Sequence, residues 1–214
     1  MTSVEEPRRV RTLSDLRLDP DDHSEAVSQA LAGEAAVVVD IRGPWSRVVL
    51  PWQPTRKDPR GYPGWLRSEG LDEQPAHPAI LASSMTHLDL ARLFRGTPYR
   101  WGGLTGTGID CSGLVHLPAR ALGHTVPRDA CDQHALFAQV ALSEVQPGDL
   151  YFFATDGRVD HVAVATAPAA QLEFPPMLHA DGERGVVEEP MPDQRRRALV
   201  GAARLPFAGP TGQT

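Results

Sequence analysis

The segment that organises this chain of 214 residues is Tyr99-Arg-Trp-Gly-Gly-Leu-Thr-Gly-Thr-Gly-Ile-Asp-Cys-Ser-Gly-Leu-Val115. Five glycines within twelve residues permit tight turns and close backbone approach. From Asp110 onward the apolar residues take helical spacing, which predicts that Cys111 lies at the start of a helix. Unbonded backbone N–H groups and the helix dipole stabilise an anion there, so we expect a lowered thiol pKa and a candidate nucleophile.

A buried, unreactive thiol is the alternative interpretation of Cys111, because free cysteines are among the most buried residues. Cys131, the second cysteine, falls in a predicted helix, and we expect an inert, half-buried thiol there rather than half of a disulfide. The sequence contains neither C-x-x-C nor H-x-x-x-H spacing. Such spacings are typical of zinc sites, so we expect no metal ion and no cofactor.

The composition is that of an ordinary globular protein, with 41% apolar residues and a formal net charge of −6. Nucleic acids and anionic membranes favour a basic surface, so we expect neither a nucleic-acid partner nor a membrane partner. Residues 1–30 contain no apolar leader with a cleavage site, and no run reaches about 18 apolar residues. These features predict a cytoplasmic location and leave the oligomeric state open.

The distribution of apolar, glycine and proline residues divides the first part of the chain. Residues 1–23 are polar and are predicted to be a flexible lead-in or an edge segment. Residues 24–75 are predicted to form a small β-barrel, with a short helix or turn over residues 24–31 and two strands joined by the turn at residues 42–44. A proline-bearing linker over residues 70–79 leads to the second domain.

Residues 76–214 are predicted to form that second domain, in which helices come first and strands follow. Helical spacing covers residues 80–94, the Cys111 segment and residues 129–138. From residue 145 onward, apolar runs separated by turn residues predict antiparallel strands, so the domain is predicted to be α+β. The predicted strands are residues 149–153, 160–164, 177–179, 185–187 and 198–205.

A cysteine nucleophile needs a base that removes its proton and a third polar group that orients the base. The chain contains eight histidines, and His161 and His179 fall in predicted strands that can project back toward the start of the Cys111 helix. The six others are predicted at or near the surface. They are His23, His77, His87, His116, His124 and His134.

Six motifs within residues 84–205 resemble the NlpC family of papain-like cysteine peptidases. The family pattern implies that Cys111 is the nucleophile, that His161 is the general base and that His179 orients His161. It also implies a papain-like fold and a hydrolase without a cofactor. The motifs are Pro98-Tyr-Arg-Trp-Gly-Gly103, Gly108-Ile-Asp-Cys-Ser-Gly-Leu-Val115, Pro127-Arg-Asp129 with Gln133, Pro147-Gly-Asp-Leu150, Asp160-His-Val162 and Leu178-His-Ala180.

The first part of the chain is similar to the bacterial SH3-like barrel that precedes this catalytic domain in γ-D-glutamyl-L-diamino acid endopeptidases of cell-wall recycling. The similarity rests on Gly33-Glu34, Trp45, Val48, Gln53 and Arg60-Gly-Tyr-Pro-Gly-Trp65. It implies that the barrel closes one end of the cleft, so that a free muropeptide fits and intact cell wall does not. The partner implied is a small peptide, L-Ala-γ-D-Glu-diamino acid. The substrate-binding residues implied are Glu34, Tyr62, Tyr99, Asp110, Ser112, Arg128 and Asp129.

Charge pairing gives a physical reason for these residue types. The expected substrate carries an N-terminal ammonium close to the α-carboxylate of D-Glu. The carboxylates of Glu34 and Asp110 suit the ammonium, and the Arg128 guanidinium suits the carboxylate. The structural alternatives are Asp110 as a helix N-cap, Arg128 and Asp129 as an ion pair at a helix start, Tyr62 as barrel core and Tyr99 as packing.

The sequence therefore predicts a cysteine endopeptidase that cleaves the bond between D-Glu and the diamino acid of muropeptides with a free N-terminal L-Ala. Two other hypotheses stay open. One is a module that binds wall fragments and has an inactive cysteine site, and the other is an amidase or acyltransferase on the same fold. The sequence leaves the preferred diamino acid open.

Overall fold

The computed structural model describes residues 6–73, 84–169 and 174–207. An N-terminal half built on one antiparallel sheet packs against a C-terminal half in which helices cover a second antiparallel sheet. The described strands of the first sheet are β1 (Glu6–Val10), β2 (Ser14–Arg17), β3 (Ala26–Ala30), β4 (Ala35–Arg42), β5 (Trp45–Leu50), β6 (Tyr62–Arg67) and β7 (Leu71–Asp72). Their spatial order is β3-β2-β6-β5-β4-β1-β7.

The first sheet has its own apolar core. Leu16, Val48 and Leu50 are fully buried in it, since alternate side chains of each strand point to the same face. Strands β5 and β6 pair along their whole length, with Leu50 opposite Tyr62. This register carries Tyr62 to the end of the sheet where its hydroxyl meets Asp129 of the C-terminal half.

Two predictions for this half were wrong. The described part of the predicted lead-in, residues 6–23, contributes two strands to the sheet, since β1 lies between β4 and β7 and β2 lies between β3 and β6. Residues 24–31 contain strand β3 instead of the predicted short helix or turn. The Gln29 side chain bonds to Asp15 Oδ1 (3.1 Å) and accepts the Leu104 N–H (2.8 Å), so contacts distant in sequence fix the extended form.

The predicted barrel and linker also differ from the structure. Strand β7 pairs with β1, so the sheet extends into the predicted linker. The predicted barrel over residues 24–75 is part of a larger sheet that begins at Glu6. The rest of the linker and the predicted domain boundary after residue 75 lie outside the described residues.

The C-terminal half is α+β with an antiparallel sheet, as predicted. Its described helices are α1 (His87–Arg92), α2 (Cys111–Ala121), α3 (Ala130–Leu136) and α4 (Asp193–Ala198), and none of them is long and apolar enough to cross a membrane. A hairpin of β8 (Leu104–Thr105) and β9 (Gly108–Ile109) precedes α2. The second sheet has the order β10-β15-β11-β12-β13-β14. Its strands are β10 (Ala138–Val140), β11 (Leu150–Thr155), β12 (Arg158–Ala165), β13 (Met177–Asp181), β14 (Gly185–Glu189) and β15 (Leu199–Arg204).

The helix boundaries differ from the spacing-based prediction for local reasons. Among the described residues, α1 begins only after Thr86, whose hydroxyl accepts the Asp89 N–H while the Asp89 carboxylate accepts the Thr86 N–H. Helix α3 ends at Leu136 instead of residue 138, because β10 follows directly and pairs with β15. Helix α4 was not predicted.

Helix α2 is held by its apolar face. Leu114 and Val115 are buried against Phe152, Val162 and Leu178 of the second sheet. Burial of one such side chain stabilises the fold by about 1.5–3 kcal/mol. The packing therefore fixes the position of the helix start, and with it the position of Cys111.

Two glycines let the N-terminal sheet and the start of α2 approach closely. Gly102 has a φ of 71°, and a Cβ there would lie 2.6 Å from the carbonyl oxygen of Ala26 in β3. A Cβ on Gly113 would lie 2.5 Å from the carbonyl oxygen of Gly103. Only glycine satisfies these positions without displacing backbone, which explains the glycine-rich segment before α2.

Two histidines predicted near the surface are buried. His87 Nε2 lies 2.8 Å from the Val115 carbonyl oxygen, and His116 Nδ1 lies 2.9 Å from the Val126 carbonyl oxygen. Burial lowers the pKa of His87 to about 4 and that of His116 to about 3. Both imidazoles are therefore neutral core residues.

Candidate active site

Cys111 is the first residue of α2, as predicted. Asp110 is the N-cap: its Oδ1 accepts the Gly113 N–H (2.7 Å) and its carbonyl oxygen accepts the Leu114 N–H (3.0 Å). The N–H groups of Cys111 and Ser112 lie in the first turn of the helix, so no helix carbonyl oxygen is placed to accept their hydrogen bonds. The start of α2 therefore supplies two backbone donors beside the thiol.

Strand β12 runs directly past the thiol. The Cys111 Sγ lies 3.9 Å from the carbonyl oxygen of Asp160, the residue before His161. His161 Nε2 lies 3.0 Å from His179 Nδ1 on the neighbouring strand β13. The thiol therefore lies beside the backbone of the residue that precedes His161, and His161 in turn contacts His179.

Glu189 extends this arrangement and fixes its proton positions. Its Oε1 lies 3.0 Å from His179 Nε2 and accepts that N–H, which leaves His179 Nδ1 as an acceptor for His161 Nε2–H. The lone pair of His161 is then on Nδ1. Sequence reasoning missed Glu189, although strand alternation across the β13–β14 hairpin places it on the same face as His179.

The thiol and the imidazole are both neutral in this structure. Burial raises the pKa of Cys111 to about 12, and the Asp110 carboxylate adds to the rise. Burial lowers the pKa of His161 well below 6.5, with smaller effects from Arg195 and His179. The expected lowering of the thiol pKa was therefore wrong, because burial outweighs the helix start.

Asp110 and Arg128 neutralise each other beneath the site. Arg128 donates to Asp110 Oδ1 (3.0 Å) and Oδ2 (2.6 Å), to Ser112 Oγ (3.0 Å) and to Ser28 Oγ in the N-terminal sheet (3.0 Å). Arg128 is 1% exposed and Asp110 is 5% exposed. Asp110 and Arg128 are each other's counter-ion in this structure, and the expectation that Asp110 binds an ammonium and Arg128 a carboxylate of the substrate stays a prediction.

Glu34 is also in a structural ion pair. It is 1% exposed, its Oε1 lies 2.8 Å from Arg120 Nη1, and its Oε2 accepts the Leu31 N–H (2.8 Å). Gln53 Nε2 donates to the same carboxylate (3.2 Å). Glu34 does not line the cavity described below, so its assignment to substrate binding was wrong. It ties the N-terminal sheet to the end of α2.

A cavity of about 760 Å³ lies between the two halves and reaches Cys111. Five of the predicted binding residues line it: Tyr62, Asp110, Ser112, Arg128 and Asp129. Tyr99 is half-buried near them, and its pKa is raised chiefly by burial, with smaller effects from the neighbouring Cys111 and Asp110. Sequence reasoning missed Glu25, Lys57, Trp101 and Arg158, which also line the cavity.

At the rim of the cavity, the charged side chains of Glu25 and Lys57 use only part of their hydrogen-bonding capacity within the protein. Glu25 Oε1 accepts the Trp101 Nε1–H (2.7 Å). Lys57 Nζ lies 2.8 Å from Asp129 Oδ2 and donates to the Tyr62 hydroxyl, which in turn donates to Asp129 Oδ1 (3.0 Å). These side chains present one anion and one cation from the N-terminal half to the cavity.

The loop that carries Lys57 is attached to α3. Thr55 Oγ1 and Arg56 Nε bond to the Asp132 carboxylate at 2.8 and 2.7 Å, and the Pro54 carbonyl oxygen accepts the Arg128 N–H (3.0 Å).

Within residues 6–73, 84–169 and 174–207, no three His, Cys, Asp or Glu side chains are arranged to hold a metal ion. Cys111 and Cys131 are both free thiols.

Comparisons with known proteins agree with this geometry. The family model described as NlpC/P60 family matches residues 96–200. The gamma-D-glutamyl-L-lysine dipeptidyl-peptidase of Bacillus subtilis is 31% identical, over 69% of this chain and 72% of that protein. The protein of the same name from Bacillus cereus is 26% identical, over 69% of this chain and 67% of that protein. The crystal structure of an NlpC/P60 family protein from Bacillus cereus aligns with 95% of this chain and over 100% of its own chain, with a TM-score of 0.78 and 21% identity. The two proteins therefore share the fold across both halves.

Proposed function

The chain belongs to the NlpC/P60 family and is a cysteine peptidase, and from this premise we propose that it cleaves the bond between γ-D-Glu and a diamino acid in small wall-derived peptides that begin with a free L-Ala. One observation carries the proposal. The Cys111 thiol lines a cavity to which the N-terminal half contributes Glu25 and Lys57, and it lies 3.9 Å from the carbonyl oxygen of Asp160, next to the residue that begins the His161–His179–Glu189 chain.

The chemistry follows from the neutral thiol and imidazole. His161 Nδ1 takes the thiol proton as Cys111 Sγ attacks the γ-carbonyl carbon, so no stable thiolate is required beforehand. The N–H groups of Cys111 and Ser112 hold the oxyanion of the tetrahedral intermediate. His161 then gives the proton to the leaving amine, and a thioester forms. A water molecule, deprotonated by His161, releases the L-Ala-γ-D-Glu product.

Selection of a free N-terminus rests on Glu25. Its carboxylate lines the cavity and takes the role predicted for Glu34, while its Oε1 is held by Trp101. A substrate ammonium replaces water at this carboxylate, whereas an acylated nitrogen leaves the charge without a partner. Intact cell wall, whose L-Ala is amide-linked, is then a poor substrate.

The N-terminal sheet and the location complete the proposal. We propose that the sheet is a bacterial SH3-like domain that closes the L-Ala end of the cleft, which is supported by the position of Tyr62 and Lys57 in the cavity wall. We also propose that the enzyme acts in the cytoplasm on recycled muropeptides, a role supported by a cavity of about 760 Å³ that is lined by groups of both charges. Fractionation of the source cells tests the location.

The decisive experiment compares L-Ala-γ-D-Glu-diaminopimelate with its N-acetylated counterpart and follows release of the diamino acid. The free peptide should be cleaved, and the acetylated one at least about 100-fold more slowly. Glu25→Gln should remove most of this discrimination. The matched variant Glu69→Gln, an exposed carboxylate of the same half, should keep it.

Other outcomes point to the rival hypotheses. Binding of the peptide without turnover by the wild-type protein indicates a wall-fragment binding module. Release of ammonia from amidated muropeptides, or transfer from a lipid ester, indicates an amidase or acyltransferase. Equal cleavage of the free and acetylated peptides contradicts the proposed recognition of the ammonium.

A further inference from the structure

Three cationic side chains line the cavity within the described residues, and they differ in what they can offer a ligand. The guanidinium of Arg128 is 1% exposed and bonds to Asp110, Ser112 and Ser28. Arg158 lies on the β12 side, two residues from the Asp160 carbonyl that touches the thiol. Lys57 belongs to the wall formed by the N-terminal half.

The Lys57 ammonium can still donate a hydrogen bond to a ligand. Its ammonium has three N–H groups, of which one faces the Tyr62 hydroxyl and one faces Asp129 Oδ2 at 2.8 Å. It also lies 4.2 Å from the centre of the Tyr62 ring, and its side chain is 51% exposed. Burial lowers its pKa, but the bonds to Asp129 and Tyr62 outweigh this and leave the pKa raised, so the group is charged at neutral pH.

The ammonium is held in a defined position. Its loop is fixed by the bonds of Thr55 and Arg56 to Asp132, so the contact with Tyr62 and Asp129 starts from an ordered backbone. Lys57 is also the only lysine of the chain, against twenty arginines. A lysine supplies a compact point charge with three rotatable donors, which suits an acceptor that approaches beside Asp129 and Tyr62.

The charges of the N-terminal wall match a ligand that carries both signs. Glu25 supplies an anion for the substrate ammonium, and with Arg128 consumed by Asp110, Lys57 is the cation on that wall. In L-Ala-γ-D-Glu the ammonium and the α-carboxylate are separated by a single peptide unit. We infer that Lys57 binds the α-carboxylate of the D-glutamyl residue, and that this enzyme therefore selects peptides with D-glutamate over peptides with D-isoglutamine. This inference rests on the proposed function.

The test uses two peptides that differ only at that group, L-Ala-γ-D-Glu-diamino acid and its α-carboxamide. The wild-type enzyme should prefer the acid by about tenfold in kcat/KM, since a charge-assisted bond to a half-exposed group is lost with the amide. Lys57→Met should abolish this preference by raising KM for the acid about tenfold. Lys57→Arg keeps the charge and should keep part of the preference.

A control variant tests whether the preference for the acid comes from contact with Lys57 or only from the positive charge of the N-terminal half. Arg47→Met removes one exposed positive charge from β5 of the same sheet and should leave the preference intact. Thermal unfolding followed by circular dichroism checks that Lys57→Met is folded. If Lys57→Met retains the preference for the acid, the inference is wrong.

Two further outcomes are informative. If Lys57→Met cleaves the acid faster than the wild type, Lys57 blocks an ammonium subsite at Asp129 instead of binding a carboxylate, and the inference falls while the proposed function stands. If the wild type cleaves both peptides equally, the inference also falls alone. If it cleaves neither, the proposed function fails and the inference fails with it.

Discussion

The charges beneath the cavity and the charges at its rim are alike in residue type but differ in their partners. Beneath it, Arg128 and Asp110 are almost fully buried and bonded to each other. At the rim, Lys57 is 51% exposed and the Glu25 carboxylate accepts a hydrogen bond from Trp101. A charged side chain is therefore available to a ligand only where the fold has not already used it, and the rim is where this enzyme can recognise charge.

The largest expected effect is at the base of the cavity. Cys111→Ala removes the nucleophile and should lower kcat by roughly a factor of 10⁴ or more, with little change in unfolding free energy. The matched variant Cys131→Ala alters the other cavity-lining cysteine, whose thiol donates to Asp132 Oδ1 (3.6 Å), and should retain activity. Turnover by Cys111→Ala measured with the free peptide contradicts the mechanism.

The ion pair beneath the cavity should matter for stability more than any charge at the rim. Arg128→Met leaves Asp110 buried without its counter-charge and should lower the free energy of unfolding by about 3–5 kcal/mol in urea denaturation. Arg158→Met, at the rim, should change it by less than about 0.5 kcal/mol. An Arg128→Met protein that is as stable as the wild type but has a raised KM contradicts the structural role and favours the original expectation of a substrate contact.

The buried histidines should make the free energy of unfolding fall in acid, whereas the exposed groups of the cavity rim should contribute little to this fall. The folded-state pKa values of His87 and His116 are about 4 and about 3, below the ordinary value of 6.5. Their contribution to stability is therefore complete above pH 6.5 and is lost as the pH falls. At pH 5 the loss is about 2 kcal/mol for each group.

Urea unfolding at pH 7.5, 6 and 5 measures this loss. His116→Gln should reduce the loss of stability between pH 7.5 and 5 by about 2 kcal/mol, whatever its effect at pH 7.5, because this group no longer titrates. His23→Gln, an exposed histidine of the N-terminal half, should leave the slope unchanged. An equal slope in all three proteins contradicts the assignment.

The sequence predicts those features that depend on local spacing. Helical spacing after Asp110 placed Cys111 at a helix start, and strand periodicity placed His161 and His179 in the sheet. It failed where a side chain's partner is distant in the chain: Arg128 binds Ser28 across 100 positions, and Glu34 meets Arg120 at the far end of α2. The thiol pKa was mispredicted for the same reason, because burial is a property of the assembled fold.

Substitution of Glu189 should give the smallest of the expected effects. It changes the hydrogen bonding of His179 without removing a group that touches the reacting atoms. Glu189 is a positioning residue, since its carboxylate accepts the His179 N–H and so sets the tautomer of His161. Glu189→Leu should lower kcat about tenfold with KM unchanged, because loss of an orienting partner impairs the base without altering the rim. Glu189→Gln retains an acceptor oxygen and should lose no more than about threefold.

The ion pair between Glu189 and Arg184 supplies the control for this prediction. Arg184 bonds to both oxygens of Glu189, at 2.6 and 2.7 Å, but contacts neither histidine. Arg184→Met therefore breaks the ion pair while the His179–Glu189 bond persists, and kcat should stay within about twofold of the wild type. If Arg184→Met and Glu189→Leu lose the same activity, Glu189 acts through the stability of the hairpin and not through the proton position of His161. A kcat that falls only in Glu189→Leu shows that Glu189 acts through its bond to His179 and not through its ion pair with Arg184.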